Sequence, residues 1–140
     1  LKSEIAWLRG KPIVWVDNSE FTGNQIKAEF DSTEIKNINI YENAFAKTLN
    51  DSLKNEYNIL KGRTIELLME DEKPKLIIAR KNASSTYYLT EESEKGINHS
   101  TSDSIYVYFK AGELDSIEII GGAEGTYFPE SYKGAKTFGE

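Results

Sequence analysis

Between residues 105 and 119 the chain alternates apolar and polar positions. Ile105, Val107 and Phe109 interleave with Tyr106 and Tyr108. A turn at Ala111-Gly112 follows, and Ile117 and Ile119 then interleave with Ser116 and Glu118. An apolar side chain at every second position turns one face of a strand to a core and the other to water. Residues 102–128 therefore read as a hairpin followed by a third strand, with Gly121-Gly122 as a bulge or sheet corner between them.

The pattern occurs three times. Stepping back by 40 and then 39 residues carries Ile105 onto Ile65 and Ile26, and Phe109 onto Met69 and Phe30. The same steps carry Ile117 onto Ile77 and Ile38, and Ala123 onto Ala83 and Ala44. Asn18, Asn58 and Asn98 stand just before each unit. Four columns held in one register define a repeat. One hairpin cannot bury its own apolar face, whereas stacked copies share a continuous core. The repeat divides a single β-domain, 11–129, into units at 18–57, 58–97 and 98–129. Residues 1–10 read as a leader or linker, as short helix or leading strand, and 130–140 as a flexible tail.

Other stretches fill in the picture. Pro12 opens a β-branched and aromatic strand, Ile13 to Val16. Leu49, Leu53, Tyr57 and Leu60 have helical spacing, but the repeat favours loop then strand over 49–60. Leu76 to Ala79 is apolar on both faces, as a strand inside a sheet would be. Residues 90–98 are polar and acidic and read as an exposed loop. Nine or ten short strands result, with matching strands of successive units paired. The expected fold class is all-β: repeated hairpins of about 40 residues forming a β-jelly-roll or clasp with open edge strands.

Composition narrows the function. The 140 residues carry 17 Lys and Arg against 23 Asp and Glu, a net charge of −6. That balance argues against nucleic acid as a partner, because phosphate backbones reward clustered cations. Cysteine is absent, so neither a disulfide scaffold nor a thiolate metal site is available. No apolar run reaches the length of a membrane-spanning helix. The chain begins at Leu1, which reads as a mature piece or a fragment.

Candidate chemistry is sparse. His99 is the one histidine, next to Ser100 and near Asp103, in what reads as a polar loop; a catalytic triad needs a spatial geometry that such neighbours rarely supply. Glu70-Asp71-Glu72 and the acidic run 91–94 fall in predicted hairpin loops, where charges are solvated. Gly121-Gly122 lacks the Lys-Ser/Thr of a phosphate loop. Asn50, Asn82 and Asn98 sit in Asn-x-Ser patterns, and Asp-Ser pairs at 51, 103 and 115 are ordinary turn chemistry. No catalytic residue, metal or cofactor is expected. Tyr87, Tyr88, Tyr106 and Tyr108 read as outward rings suited to stacking on sugars, which keeps a glycan-binding sandwich open.

What remains is the apolar face. Ile26, Phe30, Ile38, Ile65, Leu67, Met69, Ile77, Ile105, Val107, Phe109, Ile117 and Ile119 are core residues in a closed sandwich. In an open clasp they are the lining of a lipid groove, with affinity growing by about 0.8 kcal/mol per buried methylene. Both readings are compatible with the pattern.

Several short stretches resemble the OstA family, the LptA-like periplasmic proteins of lipopolysaccharide transport. They are Thr22-Gly23-Asn24-Gln25-Ile26, Glu42-Asn43-Ala44-Phe45, the run 57–65, the run 81–89, Gly96-Ile97-Asn98 and Gly125-Thr126-Tyr127-Phe128-Pro129. The resemblance spans 11–129 and includes the possibility of a periplasmic piece of a larger OstA-like or LptD-like protein. It implies a β-jelly-roll or clasp shielding acyl chains, with lipopolysaccharide or a related lipid as ligand. It also implies edge-strand pairing with other envelope transport proteins or head-to-tail with copies of itself. The 40-residue unit is longer than the short strand repeat of the simplest members. A packed, non-enzymatic envelope adaptor is the alternative.

Overall fold

A computed structural model describes residues 3–16, 19–51, 56–91, 94–111, 113–122 and 124–129. Among these, ten strands form one antiparallel sheet. They are β1 (Ser3–Arg9), β2 (Ile13–Val16), β3 (Ser19–Thr22), β4 (Gln25–Asp31), β5 (Glu34–Asp51), β6 (Glu56–Glu70), β7 (Lys73–Glu91), β8 (Glu94–Lys110), β9 (Glu113–Ile120) and β10 (Glu124–Pro129).

The order is a meander of seven positions. β1 and β2 share the first, pairing with β4 and β3 respectively. β3 and β4 share the second, and both pair with β5. β5, β6, β7 and β8 follow, and β9 and β10 share the last by pairing with successive lengths of β8. Each position pairs with its sequence neighbours. Matching strands of successive repeats therefore stand two positions apart and do not pair with each other, contrary to the expectation. The ten strands agree in number with the nine or ten expected, but they are longer than short hairpins suggest, up to 19 residues in β7.

Long strands must bend, and the bends recur with the repeat. The ladder shifts register between Tyr41 and Ala44, between Lys61 and Thr64, and between Arg80 and Ala83. Glu42-Asn43, Lys81-Asn82 and Gly121-Gly122 each hold two successive positive φ angles. These pairs lie 39 and 40 residues apart, one per unit. Left-handed backbone costs most residues about 1–2 kcal/mol and suits Gly and Asn best, which accounts for the composition of these corners. Bulges of this kind bend a strand and sharpen its twist. The hairpins repeat too: the register slips by one residue between Glu29 and Phe30, between Leu68 and Met69, and between Tyr108 and Phe109. Gly121 thus stands at a corner, as expected, where its carbonyl accepts the Asp103 amide at 2.9 Å.

Of the two forms expected for the N-terminal stretch, residues 3–9 take the leading strand, which pairs with β4 as part of the sheet rather than standing apart as a leader or linker. Two readings are corrected. Leu49 belongs to β5 and pairs with Tyr57, so strand replaces loop there. Within 90–98, Thr90 pairs with Lys95 and Glu91 with Glu94, so the expected loop is the end of the β7–β8 hairpin. The tail 130–140 and Ala123 lie outside the described residues. No helix of the described chain is long and apolar enough to cross a membrane.

Candidate functional site

The bent sheet encloses one interior, and its two halves differ. On the β1, β4 and β9 side, cross-strand register builds rows. Leu8, Ile26, Ile40, Ile65, Ala79, Ile105 and Ile119 are successive partners across all seven positions. Ala6, Ala28, Ile38, Leu67, Ile77, Val107 and Ile117 form the next row. Neighbouring strands stand about 4.8 Å apart, so each row is a continuous aliphatic stripe.

All twelve proposed interior residues lie on this face. Ile26, Ile38, Ile65, Leu67, Ile77, Ile105 and Val107 are buried, none more than 3% exposed. Phe30, Met69, Phe109, Ile117 and Ile119 are half-buried and pack against that cluster. The half-buried ones are not scattered. Phe30, Met69 and Phe109 mark the hairpin end of the rows, and Ile117 and Ile119 the last strand. The interior is thus sealed at its centre and less covered at the hairpin end and along both edges, where Leu8 of β1 is 40% exposed.

In the β2, β3 and β10 half, the apolar columns of the repeat reach only Ala44 and Ala83. Val14, Phe21, Ala46, Leu60, Ser85 and Ser100 are its row of partners. Phe21, Ala46, Leu60, Ser85 and Ser100 are buried, and Val14 packs against the same cluster. Small and hydroxyl-bearing side chains at alternate positions were the available signal: Ala44-x-Ala46-x-Thr48 and Ala83-x-Ser85-x-Tyr87. Their polar atoms are accommodated. Ser19 and Thr48 hydroxyls hydrogen-bond at 2.7 Å, and the Ser102 hydroxyl donates to the Ser104 carbonyl at 2.8 Å. Among the described residues no buried side-chain polar atom lacks a partner. Tyr87 faces inward, not outward as expected, and burial alone pushes its phenol above the ordinary tyrosine range.

The outer face holds the polar residues. Tyr106 and Tyr108 stack at 6.3 Å, and the Tyr108 hydroxyl donates to Glu118 at 3.0 Å. Arg80 and Glu66 pair at 3.1 Å, and Asn37 donates to the other Glu66 oxygen at 3.0 Å. Ile78 shares the Glu66 and Tyr106 row and is buried despite facing out. As expected for Leu76 to Ala79, β7 lies inside the sheet, between β6 and β8. His99 lies on β8 rather than in a loop. Its Nδ1 is 2.9 Å from the Thr86 hydroxyl, while Ser100 points to the interior and Asp103 is exposed. Strand alternation puts Ser100 on the opposite face from His99, so the apparent triad does not assemble. Among the described residues, no group of three or more His, Cys, Asp or Glu is placed to hold a metal.

No protein family and no curated protein matches this chain in sequence. Its fold does match a solved structure, LptH from Pseudomonas aeruginosa, described as the LptA-homologous periplasmic component of the conserved lipopolysaccharide transport device. The match has a TM-score of 0.58 over 85% of this chain and 89% of that one, at 13% identity. This chain has the LptA-like fold. At that identity the likeness is one of architecture, carried by a bent antiparallel sheet around an apolar interior. Among the described residues, each end of the sheet is formed by strands with one hydrogen-bonded neighbour, β1 and β2 at one end and β9 and β10 at the other. Such strands present backbone donors and acceptors on their outer side.

Proposed function

We propose that this protein is a non-enzymatic, periplasmic β-protein that binds lipopolysaccharide or a related lipid, shields its acyl chains in the apolar interior, and takes part in lipid transport or outer-membrane assembly. Two things support the reading: the architecture it shares with LptH, and the uninterrupted aliphatic rows across seven strand positions. The observation that carries it is the pattern of cover over those rows. Half-buried Phe30, Met69 and Phe109 would form the entrance, beyond which buried Leu67 and Val107 continue the same apolar surface. Chains would enter between the hairpin tips and part the two halves of the sheet. Edge strands β1, β2, β9 and β10 would pair with envelope partners or with further copies.

A photoreactive residue placed at Phe30, Leu67 or Val107 in cells tests this. Lipopolysaccharide crosslinks from these sites, with none from outward Glu29 or Glu66, are the expected result. A folded, exported protein that crosslinks no lipid at any site would favour the second reading, an adaptor acting through protein contacts. That reading draws on the complete burial of Ile26, Leu67, Ile105 and Val107, which leaves the centre filled by the protein's own side chains.

A further inference from the structure

On the outer face of the bend a cavity of about 470 Å3 opens between the Glu42-Asn43 and Lys81-Asn82 corners. Phe45, Lys61 and Ser84 are cross-strand partners in its lining. They face away from Ala46, Leu60 and Ser85, which enter the interior. The site is therefore separate from the lipid interior proposed above. Its charge is unusual for this chain. Lys61, Arg63 and Lys81 line it with Glu42 as the one carboxylate, three positive charges against one, in a protein of net charge −6. Glu42 is already engaged, its carboxylate 3.5 Å from Arg63 Nε. The Lys61 ammonium lies over the Phe45 ring, 5.6 Å from its centre. Like charges lining one cavity repel each other, and an anion between them relieves that repulsion.

We infer that this cavity binds a phosphate-bearing group. Arginine and lysine supply charged donors to phosphate oxygens, the arginine with a planar fork and the lysines as point charges. Asn43, Asn82 and Ser84 add neutral polar groups to the lining. The volume suits a small phosphorylated molecule or headgroup rather than a bare ion. The corners fix the geometry. The Asn24 amide donates to the Tyr41 and Glu42 carbonyls at 3.2 and 3.0 Å, and Asn43 Nδ2 donates to Asn24 Oδ1 at 3.3 Å. The Glu42-Asn43 side of the cavity is thus braced, and the cations themselves project from strands, Lys61 and Arg63 from β6 and Lys81 from β7.

The test uses 15N-labelled protein with two probes: inorganic pyrophosphate in solution, and phosphatidylcholine vesicles with or without phosphatidic acid. Saturable shifts of the Gly62 and Ser84 amides are expected with at least one probe. Replacing the three cations together, Lys61→Gln, Arg63→Gln and Lys81→Asn, should weaken binding by at least about tenfold. These side chains are exposed, and an unchanged thermal transition confirms that the variant folds. Removing the same charge at a distance, through Lys36→Gln, Lys75→Gln and Lys110→Gln, should leave affinity nearly unchanged. A response to pyrophosphate alone identifies a soluble phosphate compound as the ligand class. Sedimentation with phosphatidic acid vesicles alone identifies a lipid headgroup. No saturable response to either probe, or equal weakening by the two triple variants, overturns the assignment.

Discussion

A β-carbon added to Gly62 would stand 3.0 Å from the Arg80 carbonyl oxygen and 3.2 Å from the Arg80 amide nitrogen. The obstacle is the backbone of the adjoining strand, which cannot rotate away as a side chain can. Residue 62 sits where β6 and β7 change register at the bend. Gly62→Ala should therefore destabilise the protein by about 1–3 kcal/mol, the usual cost of overfilling a tight site. Urea unfolding provides the measurement. Gly10→Ala is the comparison, because that position has a positive φ of 84° but open space around it. It should cost only the backbone strain, about 1–2 kcal/mol. If Gly62→Ala unfolds at the wild-type midpoint, the strands do not approach this closely at the corner.

Leu67 and Met69 are two residues apart on β6 and face the same interior, yet Leu67 is fully buried while Met69 is half-covered. Leu67→Ala leaves a cavity among Ile38, Ile77 and the rest of its row and should cost about 2–5 kcal/mol. Met69→Ala, at the hairpin end, should cost clearly less. Equal losses in chemical denaturation would mean that the interior is covered uniformly and has no open end. The comparison also bears on lipid entry, since the residues that cost least to truncate are those placed at the proposed entrance.

The parts of this fold that were legible in the sequence were those in which burial selects large apolar side chains. Ile26, Ile65 and Ile105 recur because every second strand position places the same residue in the same row. The serine-lined half was not legible. Ser85, Ser100 and Ala46 are buried, but their composition does not distinguish them from a turn or a solvated strand. Residues 90–98 read as a loop for a related reason: Thr90 and Lys95 are held by backbone pairing that continues the hairpin, with no apolar alternation to announce it. Residues 3–9 looked like a linker because Ile5, Trp7 and Leu8 carry an apolar signal without a repeat partner, and they are indeed well exposed on an edge strand. The corners show only as Asn and Gly pairs, which have meaning once the register shifts are known.

His99 makes stability depend on pH in a definite direction. Partial burial, and secondly the positive charge of Lys61, hold its imidazole below the ordinary histidine value. The unfolded chain then accepts a proton that the folded chain resists. By linkage, the unfolded state binds more protons as pH falls below the ordinary value, so stability drops in that window. The contribution is complete above the unfolded value and is lost as pH descends toward the lower folded one. Urea denaturation at about pH 7.5 and about pH 5.5, either side of the ordinary value, should show a larger loss for the wild type than for His99→Gln. Parallel losses in the two proteins would assign the acid sensitivity to carboxylates instead.

The two tryptophans should report two different surroundings on the N-terminal edge. Trp7 stacks on Tyr41 with centroids 5.9 Å apart, and both Arg9 and Lys27 lie over its ring, at 5.2 and 5.8 Å. Trp15 is 65% exposed against 43% for Trp7. A ring attended by two cations is a site where anions concentrate and cations are repelled, whereas a ring in open water shows no such preference. In Trp15→Phe protein, iodide should quench the remaining Trp7 emission more efficiently than caesium does. In Trp7→Phe protein the two quenchers should differ much less, and neutral acrylamide should quench Trp15 more strongly than it quenches Trp7. Adding Arg9→Gln and Lys27→Gln to the first variant should remove the iodide preference while leaving acrylamide quenching close to its previous value. If iodide and caesium quench Trp7 alike in the parent variant, the ring is not seated between those cations, and β1 is not docked on β4 in solution as the register requires. If the preference persists after both cations are removed, its source is another charge on the same face, and the Trp7 cluster is not what organises this edge.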